Sequence, residues 1–276
     1  MPLAPINGVD LYWETTGQGE RVVLTHGSWS DGRTWQSVVG PLSSRFEVVT
    51  WDRRGHSRSS DGDGAGGYDQ DAADLAALIE HLAGSPVHAV GNSYGASVVL
   101  ALLAERSDLV ATAAAHEPDL IGILERSNPH EWSKLLEREK REMSHVFELI
   151  ESGQARDGAR YFIDEIAVGH GAFDLLPEPI QEVIVGNAQT FLDEGLEPFD
   201  PDAIAIDRIG AAGHPLTITS GSESPRLLRA AAEVLADSIP LARLVVMEGA
   251  GHIPHRTHAD AYVNLLLEVF EGGVAN

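Results

Sequence analysis

A run of β-forming residues that passes through Gly91-Asn92-Ser93-Tyr94-Gly95 directly into an apolar helix leaves this chain few architectures. Val87–Val90 reads as a buried strand, and Ala96–Glu105 reads as a helix with almost no polar face. Five residues between two interior elements leave no room for a relaxed loop. A G-x-S-x-G turn in that setting is sharp and strained, and it lifts the serine hydroxyl above the end of a sheet. The helix that starts behind the serine also offers unpaired backbone N–H groups to an anion. The short motif occurs by chance in many chains. Its strand–turn–helix setting is what makes Ser93 a candidate nucleophile rather than part of a plain glycine-rich turn.

The rest of the periodicity agrees with a layered α/β protein. Val9–Glu14, Val22–Thr25 and Glu47–Trp51 read as strands, and Tyr68–Ala83 reads as a helix with Leu75, Leu78, Ile79 and Leu82 facing inward. Asp69, Asp71 and Asp74 crowd its first turns, where the helix dipole favours negative charge. Alternation of this kind argues for a mostly parallel sheet with helices on both faces. After the run Leu109–Ala115 the strand signal lapses until Leu216–Thr219. Residues 118 to about 206 carry helical patterns instead, over roughly 131–152, 155–168 and 178–192. They read as a helical insertion between two strands of one sheet, so the core comprises residues 1–117 and 207–276. A helix over 226–236, a strand over 242–247 and a closing helix over 259–270 complete that core.

Composition narrows the function. The chain has 276 residues, no cysteine, and 42 Asp and Glu against 19 Lys and Arg, for a net charge of −23. Without cysteine there are no disulfides, thiolate metal sites or cysteine nucleophiles. A surface this acidic repels nucleic acid and anionic membrane, both of which need basic patches. No apolar run reaches the length of a membrane span, and the N-terminus carries no signal-peptide pattern, so the expected location is the cytoplasm. The twelve histidines include no H-E-x-x-H; His116-Glu117 and His130-Glu131 both lack the second histidine, and neither a metal nor a cofactor is expected. Gly62–Gly67 contains G-x-G-x-x-G, but it follows the polar stretch Ser57–Asp61 and not a strand, so it reads as a surface loop.

Two more segments bear on chemistry. Thr25-His26-Gly27-Ser28-Trp29 follows an early strand, and there the amide of Ser28 can join that of Tyr94 as an oxyanion hole. His26 in such a loop is structural. Gly249-Ala250-Gly251-His252 follows the last strand, and His252 is the candidate base that a serine nucleophile needs at neutral pH. His255 and His258 are its decoys.

The loop containing His26-Gly27-Ser28, the turn Asp52-Arg53-Arg54-Gly55-His56-Ser57, the Ser93 turn and Gly249–His252 together resemble the α/β-hydrolase superfamily, in its order and over most of the chain. The resemblance implies an α/β-hydrolase fold with an eight-stranded, mostly parallel sheet, helices on both faces, an inserted helical lid over 118–206, and a Ser–His–acid triad. Asp52 corresponds to a structural turn. Ser93 excludes the aspartate nucleophile of related dehalogenases and epoxide hydrolases. The acid departs from the commonest pattern, because Gly221-Ser222-Glu223-Ser224-Pro225 puts a serine where the carboxylate is expected. Glu223 is one alternative. Glu117, which ends the apolar run of the preceding strand and needs a partner if buried, is the favoured one. Ser93, Glu117, His252 and the segment His252-Ile253-Pro254-His255 are similar to zearalenone (resorcylic acid lactone) hydrolases.

The expectation is a serine hydrolase, monomeric or homodimeric, that cleaves an uncharged, fairly apolar small-molecule ester or lactone. Trp29, Trp132, Phe162, Phe173 and Phe191 are candidates for its pocket. The same residues also suit a C–C bond hydrolase, cofactor-free peroxidase chemistry, or a ligand receptor on this fold.

Overall fold

The computed structural model describes residues 3–62, 66–82 and 86–272. Its eight strands are β1 (Leu3–Ile6), β2 (Val9–Gly17), β3 (Arg21–Thr25), β4 (Glu47–Asp52), β5 (Val87–Asn92), β6 (Val110–His116), β7 (Leu216–Gly221) and β8 (Ala242–Met247). They form one sheet in the order β1-β2-β4-β3-β5-β6-β7-β8. β2 pairs antiparallel with β1 and with β4, and every other pairing is parallel. This is the α/β-hydrolase fold that the resemblance implies.

Strand alternation sorts the core into two layers, because successive side chains point to opposite faces. Val22, Leu24, Val48, Val90 and Ala114 face one way, onto α1 (Gln36–Ser43) and the last helix, which supplies Tyr262, Val263, Leu266 and Phe270. Val23, Val49, Ala89, Ala113, Ala115 and Ile218 face the other way. That layer is covered by α2 (Tyr68–His81) and α3 (Tyr94–Arg106), and α3 is buried along most of its length.

Among the described residues the segment between β6 and β7 holds helices joined by turns and short irregular stretches, with no strand. It holds α4 (Ile123–Ser127), α5 (Pro129–Glu151), α6 (Ala155–Tyr161), a π-helical turn (Phe162–Ala167), α7 (Ala172–Leu175), α8 (Glu178–Gly186), α9 (Ala188–Glu194) and α10 (Ile206–Ala212). After β7 come α11 (Arg226–Ser238), α12 (Pro254–Thr257) and α13 (Ala259–Gly272). Among the described residues no helix is long and apolar enough to cross a membrane.

Several departures from the sequence reading have simple causes. β1, α1, α4, α7 and α10 carry too few residues or too irregular a pattern to register as periodic; α1 even contains Pro41. The helix expected over 178–192 breaks at Asn187. Its side-chain amide donates to Ser30 O and its Oδ1 accepts the Ser57 N–H, each at 2.9 Å, which ties the break to two loops of the sheet. The acids at the start of α2 do more than meet a dipole: Asp71 and Asp74 are buried against Arg53 and Arg54. Asp63–Ala65 of the glycine-rich loop and Ala83 lie outside the described residues.

Candidate active site

β3 has β4 on one side and β5 on the other, so the chain leaves the middle of the sheet in opposite directions at the carboxyl ends of β3 and β5. Open α/β sheets form a crevice at such a switch point. The Gly27-Ser28 loop follows β3 there, and Ser93 follows β5.

Ser93 has φ 56° and ψ −128°, a conformation that costs an L-residue energy and persists only where its surroundings enforce it. The flanking glycines explain how. A Cβ on Gly91 would lie 2.2 Å from the Gly95 carbonyl oxygen, and a Cβ on Gly95 would lie 2.3 Å from that of His26. Both positions therefore exclude any larger residue. The Ser93 N–H donates to His116 O at 2.9 Å, which pins the turn to β6.

Glu117 also has a positive φ, of 46°, and this turns its side chain back beneath the loop that follows β8. It is fully buried. Its Oε1 accepts the Ser220 hydroxyl and the Gly221 N–H, both at 2.8 Å, and its Oε2 accepts the His252 Nδ1–H at 2.6 Å. Burial opposes its charge, but the hydrogen bond and charge of His252 prevail and hold the carboxyl at about 2. With Nδ1 committed as donor, the free ring nitrogen of neutral His252 is a basic Nε2. Asn92 Nδ2 donates to His252 O at 2.9 Å, so the residue before the serine also anchors the histidine loop. Glu223 is exposed and makes no side-chain hydrogen bond among the described residues. Of the two carboxylates left open by the sequence, Glu117 is the one that touches His252.

Ser93 and His252 line the same two cavities, although Ser93 Oγ makes no hydrogen bond to the imidazole. Ser28 lines both cavities as well. The backbone N–H groups of Ser28 and Tyr94 have no hydrogen-bond partner among the described residues. His116, Glu117 and His252 have potential ligand atoms within 4.8 Å of one another. The geometry is that of a hydrogen-bonded carboxylate–imidazole pair, with His116 Nδ1 spent on Thr219 Oγ1 at 2.8 Å.

The other histidines of the motif segments lie elsewhere. The Arg53 N–H donates to His26 Nε2 at 3.0 Å, and Nδ1 faces Gly27 O, so His26 is a neutral strut; burial and neighbouring Arg53 push it down to about 4. His255 is buried on Trp35, with its ring centre 4.4 Å from the indole, and its Nε2 meets Thr34 Oγ1. His258 is only partly buried and reaches Thr257.

The candidate pocket aromatics divide. Trp29, Phe162 and Phe191 cluster with ring centres 4.6–5.4 Å apart, and at least one cavity reaches each of them. Trp132 and Phe173 do not line either cavity. Trp132 sits under the Arg226 guanidinium at the start of α11, and Phe173 is fully buried against Arg160, so both serve packing rather than either cavity.

The resemblance places Arg53 in a structural turn, but sequence reasoning missed its partners. Arg53 is almost fully buried, pairs with Asp71 of α2 and Glu194 of α9, donates to His56 Nε2, and lies 4.4 Å from the ring centre of Tyr94, the residue after Ser93. Its two carboxylate partners lie 18 and 141 residues away, so no local pattern exposes them. Removing one member of a buried ion group strands the others. Arg53→Met is expected to destabilise the fold by about 3–5 kcal/mol, with Arg53→Lys intermediate because an ammonium cannot make the forked contact. Urea midpoints check this.

By fold and site, this is a doubly wound α/β protein with a strained serine turn and a carboxylate-backed histidine on the same two cavities. Residues 22–265 match the Alpha/beta hydrolase family, and the chain belongs to it. An uncharacterized hydrolase, YraK of Bacillus subtilis, is 25% identical over 171 residues, covering 61% of this chain and 63% of that protein. The chain thus spans under two thirds of that relative. A pimeloyl-[acyl-carrier protein] methyl ester esterase of Vibrio cholerae is 34% identical over 105 residues, covering 37% of this chain and 38% of the esterase. Among solved structures, an enol-lactonase from Burkholderia xenovorans superposes with a TM-score of 0.78 over 98% of this chain and all of the other, at 20% identity. That likeness concerns the fold alone.

Proposed function

We propose that the protein is a serine hydrolase that cleaves a carboxylic ester or lactone through an acyl-enzyme. The observation that carries this reading is the alignment of Ser93, at a strained turn on two cavities, with a His252 whose Nδ1–H is held by buried Glu117. In this reading His252 Nε2 takes the Ser93 proton as Oγ attacks the carbonyl carbon. Contact between those two atoms tightens when substrate is bound, as such bonds commonly do. Glu117 keeps the imidazole in the required tautomer and stabilises it once charged. The Ser28 and Tyr94 amides, without partners among the described residues, receive the oxyanion, an effect worth roughly 3 kcal/mol per donor. His252 then returns the proton to the leaving alcohol, and water, deprotonated by the same imidazole, hydrolyses the acyl-enzyme.

Residues 118–206 act in this proposal as a lid, since Phe162, Ala167 and Phe191 from that segment wall the cavities over Ser93. The aliphatic lining of one cavity, with Ile163, Val168, Leu176, Ile180 and Val183, suits a hydrocarbon portion of the substrate. The strongly acidic chain supports a small-molecule partner rather than nucleic acid or an anionic membrane, in a cytoplasmic setting.

The test compares kcat/KM for p-nitrophenyl butyrate and for a resorcylic macrolactone, with Ser93→Ala as the blank. Ser93-dependent release of nitrophenolate is the expected result. A higher kcat/KM on the macrolactone would extend the reading to a large-ring lactonase; no opening of it would confine the reading to a carboxylesterase. Rates equal to the Ser93→Ala blank on both would overturn it.

A further inference from the structure

The two cavities that meet at Ser93 and His252 are alike in size, about 290 and 300 Å³, and both carry apolar walls, but they differ in charge. The one beneath α7 and α8 is largely aliphatic. Its only carboxyl, Asp31, is engaged by Arg33, and it also holds Arg256. The one beneath α5 and α9 gathers five carboxyls, Asp119, Glu139, Glu142, Glu165 and Glu194, against two guanidiniums, Arg138 and Arg226. These acids come from four separate stretches of chain, so their convergence is a product of the fold. The guanidiniums are 69% and 66% exposed and belong to the mouth, whereas Glu194 is 5% exposed and Glu139 is half-buried.

Three of the acids are short of partners, whereas Glu142 accepts from Tyr161 and pairs with Arg138, and Glu165 meets His170. Glu139 has no hydrogen bond or ion pair among the described residues. Asp119 receives only neutral hydroxyls, from Ser97 at 2.6 Å and Tyr68 at 2.9 Å. Glu194 spends Oε1 on Arg53, while its buried Oε2 makes no hydrogen bond among the described residues. An unpaired polar atom in a buried carboxyl is costly unless something else satisfies it. Burial pushes Glu194 up to about 7, and burial together with Glu142 raises Glu139, as expected of carboxyls that lack enough positive charge nearby. Phe162, Phe191 and Phe199 line the same cavity. Carboxylates combined with aromatic faces are the chemistry that recognises an ammonium group.

We propose that the cavity beneath α5 and α9 binds an ammonium group of the substrate while the aliphatic cavity takes its hydrocarbon end, making the preferred substrate a cationic ester. This rests on the ester-hydrolase reading above and revises the expectation of a substrate uncharged throughout.

Two isosteric pairs test it, one for each side of the scissile bond: choline hexanoate against 3,3-dimethylbutyl hexanoate, and hexyl 4-(trimethylammonio)butanoate against hexyl 5,5-dimethylhexanoate. Rates are measured with the wild type, and binding of the same esters is measured by calorimetry on Ser93→Ala. In one pair the cation is expected to gain at least about tenfold in both kcat/KM and affinity, the scale of one partly desolvated charge contact. Glu139→Gln should shrink that ratio several-fold, and added salt should do the same. Equal or better handling of the neutral member in both pairs, in rate and in binding, would overturn the inference while leaving the hydrolase reading intact. Tighter binding of a cation by Ser93→Ala, without Ser93-dependent turnover of any ester, would keep the ammonium site and remove the hydrolase.

Discussion

Ser93→Ala is expected to lower kcat on an activated ester by about 10⁵- to 10⁶-fold, and His252→Ala by about as much. The two side chains act as one unit: without the base the hydroxyl is not deprotonated, and without the hydroxyl the base has nothing to activate. The double variant should therefore be little worse than either single one, and the residual rate should reflect only binding and the two amide donors. Ser93 holds its strained backbone through the contacts of Gly91 and Gly95, not through its hydroxyl, so Ser93→Ala should unfold at nearly the wild-type urea concentration. Losses that multiply in the double variant, or a serine variant with more than a tenth of wild-type kcat, would show that Ser93 and His252 are not the reacting pair.

Glu117→Gln is expected to lower kcat by about 10⁴-fold, whereas Glu223→Gln should leave it within a factor of two or so. The amide keeps the shape of the carboxylate but loses its charge. Once Oε1 continues to accept from Ser220 and Gly221, the amide NH₂ faces His252 Nδ1 and forces the wrong tautomer. Glu223, exposed and away from the histidine, has no such part to play. The same pair carries a stability signature. The Glu117 carboxyl titrates at about 2 in the folded protein against an ordinary 4.5, so its contribution is fully present above pH 4.5 and is lost as pH falls towards 2. Acid unfolding of Glu117→Gln should be flatter than wild type across that window. An unchanged kcat for Glu117→Gln with a large loss for Glu223→Gln would reverse the assignment.

Much of this protein is legible along the chain because its chemistry sits where strands end. The turn at Ser93 declares itself through two glycines that each face a carbonyl oxygen across a gap too small for a Cβ, and the residues on either side are buried strand and buried helix. His252 is marked by the glycine-rich loop after β8, and Glu117 by being a carboxylate at the end of an otherwise apolar strand. The alternation of Val22, Val23 and Leu24, and of Val48 and Val49, already sorts side chains between the two faces of the sheet. These features are local. Each depends on neighbours within a few residues, and backbone sterics and hydrophobic period act at that range.

Other features required the chain to be folded. The apolar run before Glu117 favours it over Glu223, but its contact with a histidine 135 residues away is made only in the fold, through the positive φ at Glu117 and the amide of Gly221. Trp132 and Phe173 look like Trp29 and Phe162 in a one-dimensional pattern, since an aromatic residue packs equally well on a guanidinium or against a cavity. Arg53, inside an ordinary-looking turn, gains its weight from Asp71 and Glu194 on two distant helices. The acidic cavity is also a tertiary fact, because five carboxyls from four stretches of chain meet beside Ser93. Strand, turn and helix follow from short-range sterics and hydrophobic period. Which charges face one another is set by packing between elements far apart in sequence, at distances that local pattern does not encode.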